Sequence, residues 1–110
     1  MNTKKLPEDF KYLKDMYADS YFPDFLVDKI RDAIKETVAF IESGNNSMED
    51  IQASLDKTVL KINELEDEFN ENESEIETGA RESIAETIEQ ILKYFNIDID
   101  IEEAIREREW

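Results

Sequence analysis

The sequence predicts an all-α protein: a single-domain antiparallel helical bundle of four main helices plus a short C-terminal helix. Three observations carry this expectation. Only two glycines and two prolines occur in 110 residues, which leaves little punctuation for hairpins and many strands. Apolar residues return at three- and four-residue steps in successive segments, the period of a helix with one buried face. Each of those segments also has its own start or stop signal. With 40 % apolar residues, residues 1–110 can supply one core, and a chain of this length buries roughly two thirds of its unfolded surface.

The elements follow in order. Pro7, whose fixed φ suits the first helical position, precedes Phe10, Leu13, Met16 and Tyr17, so a first helix of about three turns is expected. It should stop near Ser20, because Pro23 bars Phe22 from helical backbone space. Pro23 then opens a second helix whose stripe is Phe25, Leu26, Ile30, Ala33, Ile34, Val38 and Ile41, closed by Gly44. Ser47 and Asp50 resemble a capping box, with Asp in place of the usual Glu. Behind it Met48, Leu55, Ile62 and Phe69 repeat every seven residues, joined by Ile51, Val59 and Leu65. A second box, Ser74 with Glu77, starts a fourth helix carrying Ile76, Ala80, Ile84, Ile88, Ile91, Leu92 and Phe95. The third and fourth helices are expected to form an antiparallel hairpin at the centre of the bundle. Gly79 suggests that another helix crosses closely there, since glycine inside a helix otherwise costs up to ~1 kcal/mol relative to alanine. Phe95, Ile97, Ile99 and Ile101 alternate with a strand's period but have no partner strand. They read as an extended connector, with Asp100 the N-cap of a short last helix.

Composition removes most chemistry. Neither cysteine nor histidine is present, which excludes disulfides, thiolate and imidazole metal ligands and the commonest general base. No catalytic residue, cofactor or metal site is expected. Asp98, Asp100, Glu102 and Glu109 imitate calcium-loop positions, but Glu103 stands where the loop needs glycine. The N-terminal residues run straight into charge instead of a signal-length apolar segment, and no later stretch approaches the ~18 apolar residues of a membrane span. This reads as a cytoplasmic protein. A net charge of −16 repels nucleic acid and anionic membrane and favours a basic protein partner, with the chain itself a monomer or homodimer.

Two stretches could form a surface for such a partner. Between Lys61 and Arg81 lie Glu64, Glu66, Asp67, Glu68, Glu71, Glu73, Glu75 and Glu77, with no basic residue among them. As one helix, residues 64–77 would span ~20 Å, a charge density close to the one per ~1.7 Å of duplex DNA. The run is therefore either a solvated face or an imitation of a polyanion. The other stretch is Asp15–Lys29, where Tyr17, Tyr21 and Phe22 cannot all point inward from one tight corner. Either the corner is sealed by its own aromatics, with Trp110 packed back onto it, or it is a half-exposed contact surface. Phe22 and Phe25 are expected to be structural, and Tyr17 and Tyr21 to be partly exposed with hydroxyls reaching solvent or an aspartate. The candidate interaction surface is thus Asp15, Tyr17, Asp19, Tyr21, Asp24, Glu68, Glu71, Glu73 and Glu75.

Three blocks carry a resemblance: LKDMYADSYFPDFLVDK, INELEDEFNENESEIETGAR and the ending IEEAIREREW. They resemble a family of small bacterial proteins known only as a domain of unknown function, over nearly the whole chain. Asp19 to Lys29 match its D-S-Y-F-P-x-F-L-V-D-K corner, and Arg108, Glu109 and Trp110 resemble its R-D-W ending with Glu in place of Asp. The resemblance implies a bacterial cytoplasmic helical protein and assigns no activity. The residues point first to a non-enzymatic interaction protein. The alternative is a nucleic-acid mimic or immunity-type inhibitor of a basic protein, and a third class is an enzyme using carboxylates alone.

Overall fold

Five helices make up the regular structure of the described residues: α1 (Lys14–Ala18), α2 (Asp24–Glu42), α3 (Met48–Glu71), α4 (Thr78–Tyr94) and α5 (Ile101–Ala104). The computed structural model describes residues 5–44 and 46–110. The all-α class is as the sequence predicts, but only α2, α3 and α4 are long. Among the described residues no helix is long and apolar enough to cross a membrane.

The first helix is far shorter than its periodicity suggests. Leu13 sits in the left-handed region at φ 52°, so the segment after Pro7 makes one turn, breaks, and resumes as the five-residue α1. A non-glycine residue there costs roughly 1–2 kcal/mol. Leu13 offsets this by being fully buried and by donating its N–H to the Thr87 hydroxyl of α4 at 3.1 Å. Leu13 ends an N-terminal strap, residues 5–13, in which the Leu6 N–H bonds the Glu42 carboxylate at 2.9 Å and the Lys5 carbonyl accepts the Tyr94 hydroxyl at 2.9 Å.

The second helix begins after Pro23 and ends at Gly44, whose φ of 80° supplies the left-handed residue past the C-cap. Its stripe buries Leu26, Val27, Ile30, Ala33, Ile34, Val38 and Ile41. Phe25 departs from the expected stripe and is 50 % exposed. It lies one residue, about 100°, from Leu26, on the exposed face shared with Lys29, Asp32 and Glu36.

The third helix starts as expected, the Ser47 hydroxyl accepting the Asp50 N–H at 3.1 Å. Leu55, Ile62 and Phe69 are buried, whereas Met48, the first helical residue and beyond the end of α2, is 45 % exposed. The fourth starts later than its sequence signal. Ser74 is not its cap: the Ser74 N–H bonds Phe69 O at 2.9 Å and the Glu73 N–H bonds Asn70 O at 3.2 Å. That pair of bonds is a Schellman motif closing α3, with Glu73 left-handed at φ 58°. Glu77 becomes the N-cap of α4, its carboxylate accepting from the Gly79 and Ala80 N–H groups. No helix crosses at Gly79; a Cβ there would meet the Glu77 cap oxygen at 2.8 Å. The same motif closes α4, with Asn96 at φ 57° and Ile97 N–H on Leu92 O at 2.9 Å.

The tight helix pair is α2 with α3, not the expected third and fourth helices. Lys29 meets Glu68, Glu36 meets Lys61 and Thr37 meets Ser54, so one number falls as the other rises and the two run antiparallel. Small and hydroxylated side chains allow the approach. Thr37 Oγ1 lies 2.8 Å from Thr58 Oγ1 and 2.9 Å from Ser54 Oγ, and Thr58 donates to Ala33 O at 3.0 Å, which pairs these hydroxyls inside the interface. Branched side chains hold α4 further off: Ile88 and Leu92 face Ile34 and Leu55 across a gap of only about 10 Å³. The connector after α4 is extended and half-buried, and Asp100 caps α5 through the Glu102 N–H at 3.1 Å.

Candidate functional site

The acidic aromatic corner lies where α2 begins and α3 ends. The Lys29–Glu68 bridge of 2.5 Å fixes the register there. One helical turn outward on each helix sets Phe25 level with Asn72. Tyr21 faces the same linker, its hydroxyl pushed upward in pKa by partial desolvation and then by the Glu75 and Glu77 carboxylates. Phe22, directly between them in sequence, is buried at 3 % exposure and meets the Tyr21 ring edge-on at 5.2 Å. The exposed pair is therefore Tyr21 and Phe25, with Asp24, Glu71, Glu73 and Glu75 exposed nearby on the same helix ends and linker. None of these four carboxylates is in an ion pair among the described residues.

Other members of the sequence-predicted surface go elsewhere. Tyr17 is half-buried and donates its hydroxyl to Asp28 at 2.5 Å, as its partly exposed reading anticipated, but it faces α2 and Arg31. Burial first, and then the Asp28 hydrogen bond, raise its pKa to about 12. Asp19 folds onto its own turn, accepting the Tyr21 N–H at 2.9 Å. Asp15 borders a hollow of about 130 Å³ beside α4, which Lys11, Lys14 and Glu86 also line. Glu68 is consumed by Lys29.

The acidic run is not a rod. It bends at the end of α3, and Glu77 is used as a helix cap. Glu66 is set apart again: its Oε1 is buried without a hydrogen-bond partner, and its pKa is raised by desolvation, then by Glu109 and Asp67. The C-terminal tail is tied along α3, Arg106 to Asp56 at 2.8 Å, Asn63 to Glu107 O at 2.9 Å and the Glu109 N–H to Asn63 at 3.0 Å. The Trp110 indole N–H is likewise buried and unpartnered.

Sequence reasoning missed a second site of opposite sign. Between the N-terminal strap and α2 lie two solvent-open hollows of about 410 and 470 Å³, which share Glu8, Tyr12 and Lys35. Lys11, Lys14 and Arg31 line the first together with Phe10 and Tyr17. Arg31 is engaged by Asp32 at 3.1 Å and Asp28 at 3.3 Å. Lys11, Lys14 and Lys35 have no acidic partner among the described residues; Lys35 stands 5.6 Å over the Tyr12 ring. One signal for it was available. Residues 1–35 hold seven basic and seven acidic residues, against six and twenty-two in residues 36–110. Among the described residues no group of three or more carboxylates is placed to hold a metal ion.

Fold and site together define a small all-helical protein with an acidic aromatic end and a lysine-lined hollow. The chain belongs to a family of unknown function (DUF5713), whose model matches residues 6–110. This agrees with the resemblance carried by the three sequence blocks, as far as a family of unknown function. No curated protein and no solved structure matches it.

Proposed function

We propose that the chain is a non-enzymatic interaction protein that docks a basic protein partner on its acidic aromatic corner. The observation carrying this is that Tyr21 and Phe25 stay 43 % and 50 % exposed beside Asp24, Glu71, Glu73 and Glu75, which form no ion pair among the described residues. Interface energy concentrates in a few aromatic anchors, and surrounding charge sets encounter rate and partner choice. The bent acidic run, with Glu68 and Glu77 already engaged, supports this over imitation of a nucleic-acid backbone.

The test is capture of a basic partner by the wild-type chain, a Tyr21→Ala/Phe25→Ala variant and a Glu71→Gln/Glu73→Gln/Glu75→Gln variant, at low and high salt. The aromatic variant should lose the partner at both salt concentrations, whereas the carboxylate variant should bind more weakly than wild type mainly at low salt, where the charges it lacks are unscreened. If the aromatic variant retained the partner while the carboxylate variant lost it everywhere, the polyanion mimic would be the correct reading.

A further inference from the structure

We infer that the strap–α2 hollow of about 410 Å³ lined by Lys11, Lys14, Lys35, Phe10 and Tyr12 binds a small phosphorylated compound with a planar ring, of the nucleoside monophosphate class. The first ground is charge left unused. In a chain with 29 acidic and 13 basic residues, Lys29, Lys61, Arg106 and Arg108 are paired, and Lys57, Arg81 and Lys93 are dispersed basic residues without an ion pair among the described residues. Lys11, Lys14 and Lys35 together line one concavity whose single carboxylate is Glu8; Lys11 and Lys14 also border the adjoining hollow that holds Asp15 and Glu86. Three ammonium groups are rotatable point donors suited to a phosphate, whereas the planar Arg31 fork is already committed to Asp32 and Asp28.

The second ground is the apolar wall. Phe10 and Tyr12 stand edge to face, centroids 5.0 Å apart at 82°, and offer ring surface beside the lysines for a flat group to pack on. The third is size and fixation. The hollow of about 410 Å³ lies within the roughly 300–1,000 Å³ of small-molecule sites. Its strap wall is held by the Leu6–Glu42, Tyr94–Lys5 and Leu13–Thr87 bonds.

Charge also selects a small ligand over a nucleic acid. Screening reduces interactions beyond about 8 Å at physiological ionic strength, so a compact anion in the hollow feels the lysines first. A strand laid across a molecule of 46 × 28 × 18 Å would leave that patch and meet the net −16 of the whole chain.

Titration calorimetry of the full chain with AMP, adenosine, inorganic phosphate and a short single-stranded oligonucleotide tests this. AMP should bind, phosphate at least tenfold more weakly, adenosine not detectably, and the oligonucleotide no more tightly than AMP. Lys11→Gln/Lys14→Gln should weaken AMP at least tenfold with an unchanged circular dichroism spectrum; both lysines are exposed. Lys57→Gln, away from the hollow, should have no effect. No AMP binding, equal binding of phosphate, tighter binding of the oligonucleotide, or insensitivity to the lysine changes would each overturn the assignment.

Discussion

Truncating the three aromatics of the corner one at a time separates a sealed junction from a contact surface. Phe22 is 3 % exposed, and removing a buried phenylalanine costs about 3–5 kcal/mol through lost transfer energy and the cavity left behind. For a chain of this size each kcal/mol shifts the melting temperature by about 4 °C, so Phe22→Ala should melt about 12–20 °C lower. Phe25 is 50 % exposed. Full burial of a phenylalanine is worth up to ~3 kcal/mol, half of that is an upper bound because the unfolded chain is itself partly compact, and Phe25→Ala should lose only about 1 kcal/mol. Tyr21, 43 % exposed, should likewise fall well short of Phe22. The assay is urea denaturation followed by circular dichroism, with the slope checked so that only stability is compared. A Phe25→Ala loss equal to that of Phe22→Ala would mean that Phe25 is covered in solution, and the contact surface would lose its main residue.

Four further outcomes follow from the same geometry. Glu66 holds its proton to higher pH in the folded chain than in the unfolded one, so its contribution is best below the ordinary carboxylate range and worsens as pH rises through the folded value. Glu66→Gln should therefore raise the melting temperature near neutral pH and leave it unchanged in acid, as calorimetry would show. Tyr17, raised from 10.0 to about 12, gives stability that is complete below pH 10.0 and lost as pH rises to about 12; an ultraviolet titration of Tyr17→Phe against wild type should lack the last tyrosine to ionise. Glu73→Gly should gain up to about 1 kcal/mol in urea denaturation by relieving the left-handed φ of 58°, whereas Glu73→Gln should gain less. Thr58→Val should cost about 1 kcal/mol, because it removes the bonds to Thr37 and Ala33 O, and the Thr37→Val/Thr58→Val double variant should cost less than the two single changes combined.

What the sequence revealed was whatever local chemistry decides. The α2 boundaries rest on Pro23 and Gly44 and the α3 start on Ser47, residues whose backbone or side chain does the capping itself. The misplaced boundaries are those set by distant partners. Leu13 leaves helical space because Thr87, 74 residues away, takes its N–H, and no local pattern contains that bond. Glu73 and Asn96 end their helices in a conformation glycine would announce. At the site, the half-exposure of Tyr17 and Tyr21 was legible because two hydroxylated rings and Phe22 cannot share one corner. The lysine hollow was not, since Lys14 of α1 and Lys35 of α2 line one hollow only once the chain is folded.

The two clusters also have one energetic feature in common: stability barely constrains either. An exposed ion pair contributes about 0.2–1 kcal/mol at most, so leaving Lys11, Lys14 and Lys35 without acids forgoes little. Leaving Asp24, Glu71, Glu73 and Glu75 without bases likewise costs only screened repulsion. Some basic residues are paired, as at Lys29 and Lys61, and others, such as Lys57 and Lys93, stand singly without an ion pair among the described residues. The strap bonds through Leu6, Lys5 and Leu13 fix the strap beside α2, so that Lys11, Lys14 and Lys35 line one hollow with Phe10 and Tyr12. At the other site, the Schellman turn at Glu73 turns the linker carboxylates toward the end where Phe25 and Tyr21 remain exposed. Backbone geometry, more than charge pairing, thus positions both sets of ionic groups, which leaves their chemistry free to serve recognition.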